Sequence, residues 1–407
     1  AHSFPTRRSS DLDILAGSTP MPTIVAIPAL LKQDSKEKKE ALAKALSISF
    51  AELEKRVNID KTFVYLQRQV KPEVGLSIAQ LKLKGIRQET EYKRFYPAAE
   101  MTAHLVGFTD IADKGQEGVE LALQSLLMGE PGERLVIKDR RGNIVEDLKT
   151  QKLPRDGTDV HLALDSKIQY IAHTQLKQAI AANQAKAGGV IVLDTNTGEI
   201  LALANSPGFN PNARQAYDAS FRNRAVTDTF EPGSTLKPFI AALALELGKV
   251  KPTSTINCAP GKLTIGPATI SDAHPHGVLS VAQVIQKSSN VGAAKLAAMT
   301  TYQQMYDMFQ LVGFGKSPKL GFPGEVAGML RNWKNWRPIE QATMSYGHGI
   351  SISLIQLARS YLPLARDGDI IPLSLLRQEN DLPPSTPVFS AQTARDGQHK
   401  NRGGPTA

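Results

Sequence analysis

One run that is apolar on nearly every side constrains this chain most. Residues 230 to 246 read FEPGSTLKPFIAALALE. Phe239, Ile240, Ala241, Leu243 and Leu245 leave almost no polar face, which predicts a helix running through the centre of a domain. Gly248 stops that helix. Pro232-Gly233 breaks the chain just before it and places Ser234 in its first turn. Positions three apart on a helix share a face one turn apart, so the pattern sets the Lys237 amine beside the Ser234 hydroxyl.

That pairing has chemical meaning. A serine hydroxyl is a weak nucleophile at its free pKa and needs a base within reach. A lysine serves as that base only after losing its proton, and burial or a neighbouring positive field pushes it that way. A helix N-terminus supplies such a field, together with free N–H groups that can hold an oxyanion. Ser-x-x-Lys alone is a weak signal, with about one or two matches expected by chance at this length. A second match, Ser35 and Lys38 in DSKEKKE, falls on a charged surface helix without an apolar wall and is read as accidental. A helix cap followed by a snorkelling lysine accounts for Ser234 and Lys237 about as well as catalysis does. Ser288-Ser289-Asn290, 54 residues on (288 − 234), adds a second element. It can cap the helix VGAAKLAAM, or its hydroxyl and carboxamide can shuttle a proton and hold an amide substrate at a cleft edge. Ser-x-x-Lys followed by Ser-x-Asn forms the first two-thirds of the signature of penicillin-binding proteins and serine β-lactamases.

The rest of the chain frames these motifs. Its 407 residues suit two or three domains, and 41% apolar content with 25 prolines is globular. A net charge of +9 suits an anionic membrane surface or an acidic polymer, and equally a solvated basic surface. No basic block is interleaved with aromatics, so no nucleic acid partner is expected. The single Cys258 makes neither an internal disulfide nor a zinc site. His274 and His276 read as residues of a Pro/Gly loop. No apolar stretch reaches the ~18 residues of a membrane span, and no signal peptide is visible.

Asp34 with Glu37 and Ser49 with Glu52 mark two short helices. GIRQETEYKRFYP is expected to be extended, GVELALQSLLMGEPGE helical, and ERLVIKDRRGNIVEDL two strands around Arg141-Gly142-Asn143. The polar QKLPRDGTD is a candidate boundary. Beyond it VHLALD reads as a strand and Asp165 caps a helix through Ile180. GGVIVLDTNTGEILALANSP reads as a hairpin of central strands, buried on both faces, around Asn196-Thr197-Gly198. Helix, hairpin and serine-bearing helix together predict an α+β domain with a largely antiparallel sheet.

Five stretches, EPGSTLKPF, QKSSNVG, GFPGEVAGML, RNWKNWRPIEQATMSYGHGISISLIQLARSY and VLDTNTGEILALANSPGFNPN, closely resemble class B penicillin-binding proteins. The type they resemble most is the septal, cell-division peptidoglycan D,D-transpeptidase of proteobacteria. Arg94-Phe95-Tyr96-Pro97 resembles that family's R-x-Y-P box, and GQEGVE its G-x-x-G-x-E box. The resemblance covers about residues 13 to 395. It implies a transpeptidase domain of the penicillin-binding-protein and serine β-lactamase type at 156–395, after an N-terminal dimerisation or pedestal module at 13–155. It also implies that Ser234 is acylated, that Lys237 is the general base, and that Ser288 and Asn290 relay a proton and bind the donor peptide. The implied substrates are peptidoglycan stem peptides, with β-lactams as acylating inhibitors. The implied partners are divisome membrane proteins including a glycosyltransferase, the implied place is the periplasmic side of the inner membrane, and no metal or organic cofactor is implied.

The chain departs from the pattern in several places. Residues 1–12, AHSFPTRRSSDL, resemble a translated sequencing-library adapter, and 396–407 read as an irregular tail of the kind a natural terminus or a frameshift would leave. Set against that pattern, the N-terminal anchor helix and the earliest N-terminal box are expected to be missing from this stretch, and the third motif, Lys-Thr-Gly, does not occur in the 117 residues following Asn290 (407 − 290). That motif's strand carries an oxyanion N–H, and loss of one such donor costs about 10² to 10³ in rate. The chain is therefore expected to be an impaired fragment. His348 stands where relatives carry an aromatic and receives no catalytic role. The alternatives are a non-catalytic divisome scaffold and a serine β-lactamase.

Overall fold

The computed structural model describes residues 6–8, 12–138, 144–213, 218–378 and 384–398. They divide into two compact units. One is built mainly from Ile14–Pro97 and Gly107–Val160, the other from Ala98–Val106 and His161–Ala407.

In the first unit, β1 (Gly17–Ala26) lies between β2 (Val64–Gln67) and β3 (Ile86–Phe95), antiparallel to both. Helices α1 (Lys36–Ala45), α2 (Phe50–Val57) and α3 (Pro72–Gln80) bury Leu42, Leu53, Val57 and Ile78 with Ile24, Ala26 and Leu66 of the sheet. Ser49 caps α2 as expected, its hydroxyl accepting the Glu52 N–H at 3.1 Å. The cap of α1 is Ser35 and not Asp34. The Asp34 carboxylate instead accepts the N–H groups of Lys84 and Gly85 at 3.3 and 3.2 Å, and two backbone donors outweigh one. The second Ser-x-x-Lys is thus a plain helix cap, with Ser35 Oγ accepting the Lys38 N–H. The segment 118–127 is broken at Leu123 into α4 (Gly118–Ala122) and α5 (Gln124–Leu127). β4 (Glu133–Lys138) and β5 (Ile144–Lys152) pair antiparallel as expected, and the turn assigned to Arg141-Gly142-Asn143 lies outside the described residues.

The two boxes of this unit meet in its interior. Arg94 Nε donates to Glu120 Oε1 at 2.7 Å, with both side chains more than nine-tenths buried. The Tyr96 hydroxyl accepts the Thr109 N–H at 2.9 Å. Burial pushes the Glu120 carboxyl up in pKa, and the Arg94 guanidinium opposes that push. Removing either partner would leave the other charge buried and unpaired.

In the second unit, Asp165 caps α6 (Ser166–Ala182) as expected, accepting the N–H groups of Lys167 and Ile168. VHLALD does not form a strand. Its backbone bonds are divided between partners, Ala163 N–H to Leu375 and Asp165 N–H to Leu201, so no continuous ladder builds up. β6 (Gly188–Leu193) and β7 (Ile200–Ser206) form the expected hairpin. Asp194 accepts the Asn196 and Thr197 N–H groups at its turn, and Gly198 takes a φ of +75°. α6 lays Ala172 and Leu176 on Ala202 and Ala204. Most of β7 is buried, but β6 is half-buried throughout, because the two strands form a ladder only with each other among the described residues.

Past β8 (Thr229–Phe230), α7 (Lys237–Glu246) runs through the main core. Phe239, Ile240 and Ala244 are fully enclosed. Around them pack α8 (Val281–Gln286), α9 (Asn290–Ala298) and α10 (Tyr302–Leu311) through Val281, Val284, Val291, Leu296 and Phe309. Each fully buried side chain of this size contributes about 1.5–3 kcal/mol. The central helix is therefore a fixed post on which a reactive side chain can be mounted.

Candidate active site

The strand leading to Ser234 is held from its side. β8 pairs antiparallel with Ile352–Ser353, Thr229 opposite Ser353 and Phe230 opposite Ile352. The pairing continues past the strand ends. The Glu231 carboxylate accepts the Gly349 N–H at 2.8 Å and bonds His348 Nδ1 at 2.9 Å, and the Gly233 N–H donates to the Gly347 carbonyl. Gly233 and Gly347 have φ of +59° and +86°. A Cβ on Gly347 would stand 2.1 Å from the Gly233 carbonyl oxygen, so only glycine permits this approach.

The chain then enters a 3₁₀ turn, Gly233–Leu236, before α7 begins at Lys237. Ser234 lies in that turn, one turn earlier than the α-helical start predicted for it. It remains exposed, while Lys237, three residues on, is 2% exposed. Lys237 Nζ donates to Ser234 Oγ at 2.9 Å. It also donates to the carbonyl oxygen and the Oγ of Ser288, at 2.6 and 2.8 Å. Ser288 Oγ in turn donates to Ser234 Oγ at 2.9 Å. The three groups therefore close a triangle.

Burial pushes the Lys237 ammonium down in pKa to about 8, and the Asp272 carboxylate pushes the other way. Desolvation prevails, so Lys237 gives up its proton far more readily than an exposed lysine.

Ser288 owes its place to a helix end. α8 closes with Lys287 as its C-cap, Ser288 N–H donates to Ile285 and Ser289 N–H to Val284. This is a Schellman arrangement, and Ser288 occupies its left-handed residue with φ +55°. Glycine is the usual occupant, and a side chain there costs about 1–2 kcal/mol. Ser289 caps α9, as the sequence allowed, by accepting the Gly292 N–H. Asn290 opens α9, and its Nδ2 donates to the Ser271 carbonyl at 3.0 Å. Of the four expected site residues, Ser234, Lys237 and Ser288 are in mutual contact, and Asn290 stands two residues beyond Ser288.

Sequence reasoning missed three residues. Asp272 follows the hairpin of β9 (Lys262–Ile265) and β10 (Ala268–Ser271). It accepts the Ser289 hydroxyl at 2.8 Å and the Val291 N–H at 2.9 Å, tying down the Ser-Ser-Asn junction. Glu231 joins the strand that leads to Ser234 to the 347–349 turn. Tyr361 reaches the Thr235 carbonyl. Each acts across 17 or more residues of chain, and no local pattern marks any of them.

A serine, a buried lysine and a bridging second serine thus meet at the head of a core helix. The chain belongs to the penicillin-binding protein transpeptidase family, whose transpeptidase domain it matches over residues 188–400. The penicillin-binding protein dimerisation domain matches over 9–162. The chain is 44% identical over 388 residues to the probable peptidoglycan D,D-transpeptidase PenA of Neisseria gonorrhoeae, covering 94% of this chain and 66% of that protein. It is 39% identical over 363 residues to the peptidoglycan D,D-transpeptidase FtsI of Escherichia coli K12, covering 88% and 61%. It therefore spans somewhat under two thirds of these curated relatives. Among solved structures, the transpeptidase domain of penicillin-binding protein 3 from Burkholderia pseudomallei is similar, with 46% identity and a TM-score of 0.55. That similarity covers 59% of this chain and 68% of the other.

Proposed function

We propose that this chain carries the acyl-transfer machinery of a septal peptidoglycan D,D-transpeptidase, with Ser234 as nucleophile and Lys237 as general base. The observation that carries the reading is the triangle of Ser234 Oγ, Lys237 Nζ and Ser288 Oγ, closed by contacts of 2.8–2.9 Å around a buried amine. Neutral Lys237 takes the Ser234 proton as Oγ attacks the penultimate D-Ala carbonyl of a stem peptide. Ser288 passes that proton to the departing amine as the C–N bond breaks, so terminal D-Ala leaves with a neutral amine and its carboxylate, and Ser234 holds the peptide as an ester. Asn290 binds the donor peptide. An amine from a second stem peptide then attacks the ester, the crosslink forms and Ser234 regains its proton. A β-lactam acylates the same oxygen, and the scheme uses no metal or organic cofactor.

In the same reading the enzyme works on the periplasmic side of the inner membrane with divisome membrane proteins, among them a glycosyltransferase. Among the described residues no helix is long and apolar enough to cross a membrane. Labelling with a fluorescent penicillin tests the proposal. The chain is expected to become covalently fluorescent and Ser234→Ala to stay dark. Equal labelling of the two, or none of either, rejects it. Sustained hydrolysis of a chromogenic cephalosporin would instead favour a β-lactamase.

A further inference from the structure

The 3₁₀ turn that carries Ser234 has a hydrogen-bonding gap created by its own sequence. Within the turn the Ser234 carbonyl is taken by the Lys237 N–H, and the Pro232 carbonyl by Thr235 Oγ1 at 2.6 Å. The Thr235 carbonyl is left over. A 3₁₀ bond to it would need the N–H of residue 238, and Pro238 has none. The ladder of α7 starts from its N-cap, Leu236, one residue too late to use it. The donor arrives instead from 126 residues along the chain, where the Tyr361 hydroxyl bonds the Thr235 carbonyl at 2.7 Å.

We propose that Tyr361 is a positioning residue of the nucleophile turn, its hydroxyl replacing the backbone donor that Pro238 denies the Thr235 carbonyl. The proposal rests on the acyl-serine reading above. Tyr361 caps the end of α11 (Leu354–Ser360), and its ring meets Phe239 of the central helix edge-on at 5.0 Å. The hydroxyl is thus anchored to the same post that carries Lys237. Burial holds its pKa up at about 12, so it stays a donor across the working pH range. Lys237 Nζ is fixed independently by the Ser288 carbonyl and hydroxyl. If the turn shifts, Ser234 moves while its base stays in place. A 1 Å misplacement of a reacting group can cost about 10²-fold in rate.

Tyr361→Phe keeps the ring contact and removes only the donor. It is expected to slow acylation by a β-lactam about tenfold or more, with the non-covalent dissociation constant unchanged. In its crystal structure the separation of Ser234 Oγ and Lys237 Nζ should lengthen from 2.9 Å to beyond about 3.5 Å. Pro238→Ala restores an N–H at the gap, so the Tyr361→Phe/Pro238→Ala pair should recover much of the lost rate, which a merely structural tyrosine would not allow. Acylation by Tyr361→Phe within twofold of the parent, or no recovery in the pair, overturns the proposal. Should the parent itself fail to acylate, the acyl-serine reading fails. The Ser234–Lys237 separation in Tyr361→Phe then decides the positioning claim alone, an unchanged 2.9 Å refuting it. If Tyr361→Phe does not fold, the structure of Pro238→Ala serves instead. A bond from the restored backbone N–H of that variant to the Thr235 carbonyl supports the proposal, and its failure to form refutes it.

Discussion

Replacing Ser288 by glycine and by alanine separates what this residue costs the fold from what it gives the site. Both changes remove the hydroxyl that bridges Ser234 and Lys237. Only alanine keeps a Cβ at φ +55°. Relief of that conformation is worth about 1–2 kcal/mol, and the greater freedom of glycine in the unfolded chain takes back about 0.5–1. Ser288→Gly should therefore be more stable than Ser288→Ala by about 1 kcal/mol, inverting the usual order of these residues. For a unit of this size that is about 2–4 °C in melting temperature. Thermal unfolding of the two variants side by side reads the difference. Acylation should fall in both alike, by about 10² to 10⁴, the usual scale for losing a positioned proton-transfer group. Alanine matching or exceeding glycine in stability would refute the left-handed assignment. Unimpaired acylation by either variant would refute the relay.

Other outcomes follow from the same geometry. The acylation rate should rise about tenfold between pH 7 and pH 9 as Lys237 loses its proton around pH 8, and stopped-flow kinetics should find no such rise in Lys237→Arg, whose guanidinium stays charged. Because the folded chain binds this proton less tightly than the unfolded one, unfolding free energy should climb by about 3 kcal/mol from pH 8 to 10.5, and denaturant titrations should lose that gain when Lys237 is replaced by Met. Asp272→Asn keeps an acceptor for Ser289 and Val291 but removes the charge that holds the lysine proton, so the midpoint of the pH–rate curve should move to lower pH. Gly347→Ala drives a Cβ into the Gly233 backbone, and both melting temperature and acylation should drop.

Much of this site was legible because its central pair is local. Ser234 and Lys237 are three residues apart at the head of an apolar run, and the run's composition alone made its helix the core. The same holds for the Asp165 and Ser49 caps and for the β6–β7 hairpin, whose signals lie within a few residues. What escaped was set by distance or by competition. Asp34 looked like a cap until residues 84 and 85 offered it two donors, and VHLALD looked like a strand until its bonds were divided between two segments. The left-handed Ser288 was hidden because its sequence position suggested a helix start, whereas its conformation belongs to the end of the preceding helix. Glu231, Asp272 and Tyr361 carry no motif, since each is defined by the partner it meets.

The state of one amine underlies the whole account. A pH titration of isotope-labelled lysine followed by NMR, with Lys237→Arg used to assign the signal, reads it directly. Half-protonation of Lys237 near pH 8 is the predicted result. A midpoint near the ordinary lysine value of 10.5 would mean an ammonium charged throughout the working range, and Ser234 would then have no base.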